Sequence, residues 1–321
     1  MILSKPLFRK RTGAIRIENG IKHGNPVFAW ILILPAFLTW LVFWLYVNYR
    51  SIILSFQTTD PITNEYVWTL QHYKWVVESF FETSSGSSGL LAICLRNTLT
   101  YFFTNYFIIQ TCNVILAYFL YKKIAGYRAF RFLLYLPNLL AGATMATIYK
   151  QLVAYNGPIV DLFMNLGWLE GPIRPQWLAD ERYAMTLSVI YSLWLGVGGT
   201  MIYSLGAMSR VPHEVVEAAQ LDGITPFKEF VFIIIPLISQ TLITLYVLGV
   251  AGFLSAGGAT LFLTAGNYNT QTLSFWIWWQ IYTGGSTGTS SALGICMTLV
   301  TLPVTLIVRW IGNKITPEVT F

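Results

Sequence analysis

The sequence predicts an all-α integral membrane protein that crosses the bilayer six times, and three observations lead there. Of 321 residues, 55% are hydrophobic and only 11% charged, against about 25% charged in a soluble domain. The apolar residues gather in repeated uncharged runs of roughly the 20 residues a helix needs to cross the hydrocarbon. Twelve Trp, eighteen Tyr and twenty-one Phe suit a chain with membrane–water interfaces, where such rings accumulate.

The runs lie at about 28–54, 92–120, 130–149, 184–208, 237–258 and 290–311. Some exceed the minimum length, so tilt or extension beyond the bilayer is expected. Residues 1–27 form a basic cytoplasmic segment and 28–321 the transmembrane domain, with a polar loop at 209–236. The first run is too long and too far in for a secretory signal, and no small-residue cleavage site is apparent. It is expected to stay attached as the first span.

Lys and Arg set the orientation. Lys5, Arg9, Lys10, Arg11, Arg16 and Lys22 precede the first span, and Lys122, Lys123, Arg128 and Arg131 fill the short second-to-third connection. Arg210 and Lys228 follow span four; Arg309 and Lys314 close the chain. The opposite loops hold only Lys74, Lys150, Arg174 and Arg182, with none across 259–289. Both termini and the 209–236 loop are therefore expected in the cytoplasm.

The net charge of +6 does not mark a nucleic-acid binder, because the cations cluster at span ends rather than along one face. Cys94, Cys112 and Cys296 all sit in apolar segments with no CxxC pair or His cluster. They are read as packing residues, with no metal site. Of the outer loops, 57–91 contains the small-residue run Ser84-Ser85-Gly86-Ser87-Ser88-Gly89, read as flexible, and 150–183 has several Gly and Pro.

The 209–236 loop reads as helix, tight turn, helix. Pro212 suits a first helical position, where its missing N–H costs nothing. Gly223 suits the left-handed residue that ends the first helix near Asp222. Thr225 can cap a second helix beginning at Pro226, and Pro236 then leads into span five. Such a hairpin, held between two spans, would transmit force where a floppy linker would absorb it.

Within this loop stand Glu217-Ala218-Ala219, then Asp222-Gly223, then Phe230, Ile233 and Pro236. The pattern resembles the signature loop of permease subunits of binding-protein-dependent ABC importers. Ile224, Ile235 and Gln240 depart from the residues usual there but remove neither a charge nor the glycine. Residues 133–167, Gln176-Trp177-Leu178, Trp194 and the stretch 263–282 further resemble the carbohydrate branch, with Ala265-Gly266-Asn267 departing from its glycine-proline pattern. The resemblance covers about 28–311.

The resemblance implies a type I ABC importer permease architecture in a bacterial-type plasma (inner) membrane. It implies two nucleotide-binding ATPase subunits, a second permease subunit (a homologue rather than a copy) and an extracytoplasmic solute-binding protein, besides membrane lipid; no nucleic acid is expected. ATP and Mg would sit on the ATPase subunits, and this chain would bind no cofactor. Glu217, Ala218, Ala219, Asp222, Gly223 and Pro236 would form the coupling element, the carboxylates anchoring it, the alanines admitting close helix approach and the glycine supplying the turn. Trp276, Trp278 and Trp279 fit an interfacial belt or a platform for sugar rings.

Other classes fare worse. Gly284-Gly285-Ser286-Thr287-Gly288 matches G-x-S-x-G, but that motif has meaning only at a strand-to-helix elbow with triad partners, and this copy lies in an uncharged outer loop with no Asp, Glu or His from 230 to 317. No phosphate-binding G-x-x-x-x-G-K-[ST] loop is present. An ion-gradient-driven secondary transporter is the alternative, weakened because no Asp, Glu, Lys or His lies near the middle of any span. Candidate residues for the solute pathway are Asn113, Tyr191, Trp194 and Tyr246, each of which also suits plain helix packing. Gly196, Gly198 and Gly199 suit close helix approach and a hinge.

Overall fold

The computed structural model describes residues 26–60, 65–81, 89–169, 174–255, 257 and 259–315. The cations from Lys5 to Lys22 and the run Ser84–Ser88 lie outside the described residues. The chain divides into two compact units, one ending at Arg50 and the other beginning at Ser51. The first candidate span, α1, is Trp30–Ser55; Trp40–Tyr46 within it is π-helical, and Phe37, Trp40 and Trp44 stack successively at 6.0 and 5.5 Å.

The second unit opens with an antiparallel hairpin, β1 Gln57–Thr59 and β2 Tyr66–Trp68, with Gln57 opposite Trp68. Helices follow in order: α2 Gln71–Phe81, α3 Leu90–Tyr121, α4 Tyr127–Leu139, α5 Gly142–Leu152, α6 Pro158–Asn165, α7 Ala184–Gly196 and α8 Met201–Met208. Then come α9 His213–Leu221, α10 Pro226–Leu237, α11 Ser239–Ala251, α12 Ala259–Leu263, α13 Leu273–Tyr282 and α14 Thr287–Ile315. Among the described residues, four helical stretches are long and apolar enough to cross a membrane: α1, α3, α7 through α8, and α14. The bent pairs α4–α5 and α10–α11 bring the number to six if each is one span.

Two expected spans thus differ from simple rods. The third bends by 103° between α4 and α5, where Leu140 and Ala141 are extended at ψ 151° and 135°. Pro137 in the last turn of α4 has no N–H for the helical ladder. The Asn138 amide donates to Leu195 O at 3.1 Å and so fastens the corner to the end of α7. The fifth bends by 73° between α10 and α11, around Ile238.

Burial concentrates in three clusters. One joins Val114, Ala117 and Tyr118 of α3 to Met201 and Met208 of α8, Val216 of α9 and Ile234 of α10. A second joins Val76 of α2, Leu91 and Cys94 of α3, Trp276 of α13 and Leu293 of α14. The third holds Met145 and Tyr149 of α5, Tyr191 of α7 and Leu263 of α12. The uncharged 259–289 segment is therefore mostly helical and partly core. Trp276 is 3% exposed and stacks on Trp75 at 5.5 Å, so it belongs neither to a belt nor to an open platform. Trp278 and Trp279 remain exposed and pack against Phe275 and Tyr282. Ser286 of the G-x-S-x-G match accepts the Thr289 N–H at 3.1 Å at the start of α14, which is helix capping.

The α7–α8 junction shows why a glycine stands at 198. Its φ is +101°, and an added Cβ would run into the Leu134 carbonyl of α4. Gly198→Ala combines that overlap with a left-handed penalty of about 1–2 kcal/mol. A markedly lower temperature of thermal aggregation in detergent is expected; an unchanged one would mean that α4 yields freely.

Candidate functional site

Two features stand out: the 209–236 loop and a polar cavity between spans. The loop begins with Pro212 as N-cap (φ −58°, ψ 130°) rather than as the first helical residue. At the far end of α9, Gly223 has φ +74°. Its N–H donates to Gln220 O at 3.1 Å and the Ile224 N–H to Ala219 O at 3.2 Å. This pair of bonds is the Schellman closure of a helix, and it places Ile224, the departure from the usual residue, just after the turn. Thr225 precedes α10 without a side-chain cap bond, and Pro226 takes the first helical position.

α9 has two faces. Val216 joins the cluster of α3 and α8, and Ala219 is buried as well. Glu217, Ala218, Asp222 and Gly223 are exposed, and His213 Nδ1 lies 3.4 Å from Glu217 Oε1 one turn away. Leu221 is 90% exposed and Phe227 74%; the sequence reading passed over both. Pro236 is not part of this face, because it sits in the last turn of α10, Ile235–Leu237.

The sequence reading also missed Glu229. It is 2% exposed, and Lys122, just past α3, approaches both of its carboxylate oxygens, at 2.7 Å and 2.8 Å. Tyr118 donates its hydroxyl to Pro226 O at 2.8 Å. These contacts clamp the start of α10 to the end of α3. The signal available was an acid directly before the apolar run 230–235, where burial demands a partner.

The cavity has a volume of about 790 Å³ and lies between α3, α4, the α7–α8 junction and α11. Its lining includes Asn105, Tyr106, Gln110, Asn138, Thr200, Tyr203, Gln240, Thr244 and Tyr246, with no charged side chain. Thr104–Ile109 of α3 is π-helical, and the Gln110 N–H bonds to Asn105 O. The π-helical turn brings both residues toward one side of α3, and both line the cavity. Tyr106 and Tyr246 meet edge to face at 5.0 Å. A neighbouring cavity of about 500 Å³ shares Phe102, Asn105, Asn138, Gly196 and Gly249.

The four pathway candidates are placed differently. Tyr246 and Asn113 line the larger cavity, but Asn113 is fully buried and its amide is committed. It accepts the Gly198 N–H at 2.6 Å and donates to Gly196 O at 3.1 Å and Thr200 Oγ1 at 2.9 Å. Tyr191 lines the smaller cavity, with its hydroxyl donated to Gly142 O at 3.2 Å. Trp194 lines neither of the two; it packs against Tyr149 and Tyr191 at 6.1 and 6.4 Å. Among the described residues no group of three His, Cys, Asp or Glu is placed to hold a metal ion.

Comparison with known proteins bears on the chain as a whole. The lactose transport system permease protein LacF of Rhizobium radiobacter is 25% identical over 267 residues, 81% of this chain and 85% of LacF. The arabinooligosaccharides transport system permease protein AraP of Bacillus subtilis is 28% identical over 284 residues, 85% of this chain and 84% of AraP. In fold, the chain is similar to one in a crystal structure of a bacterial alginate ABC transporter in complex with an alginate pentasaccharide-bound periplasmic protein. The TM-score is 0.77 at 19% identity, over 92% of this chain and 96% of that one. The family model for the binding-protein-dependent transport system inner membrane component matches residues 24–317, and the chain belongs to that family.

Proposed function

We propose that this chain is one of two permease subunits of an ATP-driven importer for neutral oligosaccharides, working with a homologous second permease. In this reading both termini and α9 face the cytoplasm. The exposed face of α9, with Glu217, Ala218, Leu221 and Asp222, seats in one of two ATPase subunits that hold ATP and Mg. An extracytoplasmic binding protein releases the solute at the opposite mouth. Family membership and the sugar permeases among the relatives support this over an ion-gradient-driven transporter.

One observation carries the solute class: a cavity lined by carboxamides, hydroxyls and tyrosine rings, without a charge. Carboxamides donate and accept at once, as sugar hydroxyls require, and aromatic faces take the apolar C–H faces of pyranose rings. An acidic glycan would meet no cation among the residues that line the cavity.

The test is reconstitution of the full assembly with its binding protein in proteoliposomes, using lactose and an arabino-oligosaccharide as probes. ATP-dependent uptake of a neutral glycan is expected. Glu217→Ala removes a charged hydrogen-bonding group, about 1.5–3 kcal/mol or roughly 10- to 100-fold in coupling. Uptake that proceeds without the ATPase subunits, or is unmoved by Glu217→Ala, would sink the coupling reading.

A further inference from the structure

Gln110 lines the larger cavity yet is 7% exposed, and its Nε2 has no hydrogen-bond partner. A buried donor left unpaired is costly, and such a group calls for an explanation. Its Oε1, by contrast, accepts the Thr200 hydroxyl at 2.8 Å, and Thr200 Oγ1 accepts the Asn113 amide at 2.9 Å. The orientation of Asn113 is set in turn by the Gly198 N–H on its oxygen and by its own donation to Gly196 O. Each bond directs the next: Asn113 donates to Thr200, which turns its proton to Gln110, which is left with its N–H donors unpaired.

We propose that Gln110 is a specificity-determining residue, whose Nε2 donates to a solute oxygen, and that Thr200 and Asn113 are positioning residues. Together they relay solute occupancy to the break in span four. The inference rests on the oligosaccharide reading above. Both ends of the relay are built for it. At one end the unpaired donor sits in the wall of the cavity, where a hydroxyl or ether oxygen of a glycan satisfies it after a small movement of that wall. At the other end Asn113 holds the two peptide groups that shape the turn between α7 and α8, and α8 leads directly into the coupling loop. Satisfying Gln110 therefore changes the hydrogen bond to Thr200, and with it the grip on residues 196–200. Hydrogen bonds in such chains polarise one another at low local dielectric.

The test compares wild type with Gln110→Leu, Thr200→Val and Thr200→Ser in the full assembly, at equal amounts of assembled complex, with lactose and an arabino-oligosaccharide as probes. Uptake KM and the stimulation of ATP hydrolysis by loaded binding protein are read together. Gln110→Leu is expected to raise KM about tenfold or more. Thr200→Val is expected to do the same and to lose most of the stimulation, while Thr200→Ser, which keeps the hydroxyl, restores both. A merely structural role for Thr200 would lower kcat or yield for both substitutions without moving KM. Wild-type uptake with unchanged KM and stimulation in Gln110→Leu and Thr200→Val overturns the relay and leaves the oligosaccharide reading standing. A wild-type assembly that carries neither neutral glycan overturns both.

Discussion

Gly223→Pro is expected to abolish ATP-coupled transport while the chain still inserts into the membrane. Gly223 holds φ +74° and donates its N–H to Gln220 O. Proline fixes φ near −65° and has no N–H to give, so neither part of the closure survives. The turn must open, and α9 loses its fixed angle to α10. No atom lies within 4 Å of where a Gly223 Cβ would stand, so damage by overlap in the core is not expected; the loss falls on the loop's geometry. Uptake should drop at least about 100-fold, the consequence of misplacing a docking element by about 3 kcal/mol. Gly223→Ala, strained but open in space, should lose far less, since the left-handed penalty is only about 1–2 kcal/mol. Equal uptake in wild type and the proline variant, from equal amounts in the membrane, would show that α9 does not transmit.

The second large effect concerns Lys122 and Glu229, and it is asymmetric. Removing one partner of a buried pair costs about 3–5 kcal/mol, because the other charge is left without compensation. Glu229 is 2% exposed while Lys122 is 27% exposed. Lys122→Met leaves a buried carboxylate with only the Tyr118 hydroxyl, at 3.4 Å, and should show most of that effect. Glu229→Gln strands an ammonium that can reach solvent and should cost markedly less. The double variant Lys122→Met with Glu229→Leu should recover much of the loss, since apolar replacement of both charges is often neutral. Thermal unfolding of the solubilised chain, read as a double-mutant cycle, checks the order. If Glu229→Gln proves the more damaging, the pair is not held as the burial implies.

How much of this was legible in the residues depended on range. The helix-turn-helix of 209–236 depends on local chemistry, a glycine needing positive φ and prolines flanking the helices, so it could be read almost intact. Pro212 shifted by one position, and Pro236 fell inside α10, because the continuation of a helix is decided by what it packs on. Four of the six expected spans coincide with helices long and apolar enough to cross a membrane, but the 103° corner between α4 and α5 was not legible. Pro137 hinted at it; the Asn138 bond to Leu195 that holds it joins residues distant in sequence. The cavity was least legible. With regular helical spacing, Asn105 and Gln110 lie about 140° apart, on different faces. The π-helical stretch between them turns both toward the cavity, and no periodicity count anticipates that insertion. Asn113 was singled out for its polarity, yet its amide is spent on the backbone and the Thr200 hydroxyl of span four.

The helical run of α10 from Pro226 to Leu237 ahead of the 73° bend is a strut held at both ends: by Lys122 on Glu229 and Tyr118 on Pro226 at the end of α3, and by the bend near Ile238. A lever hinged only at the bend would let its far tip swing; the brace removes that freedom. In the reading proposed above, a push on α9 is therefore delivered to two spans at once, the one that ends at the brace and the one that begins at the bend, and cutting the brace would leave only the second.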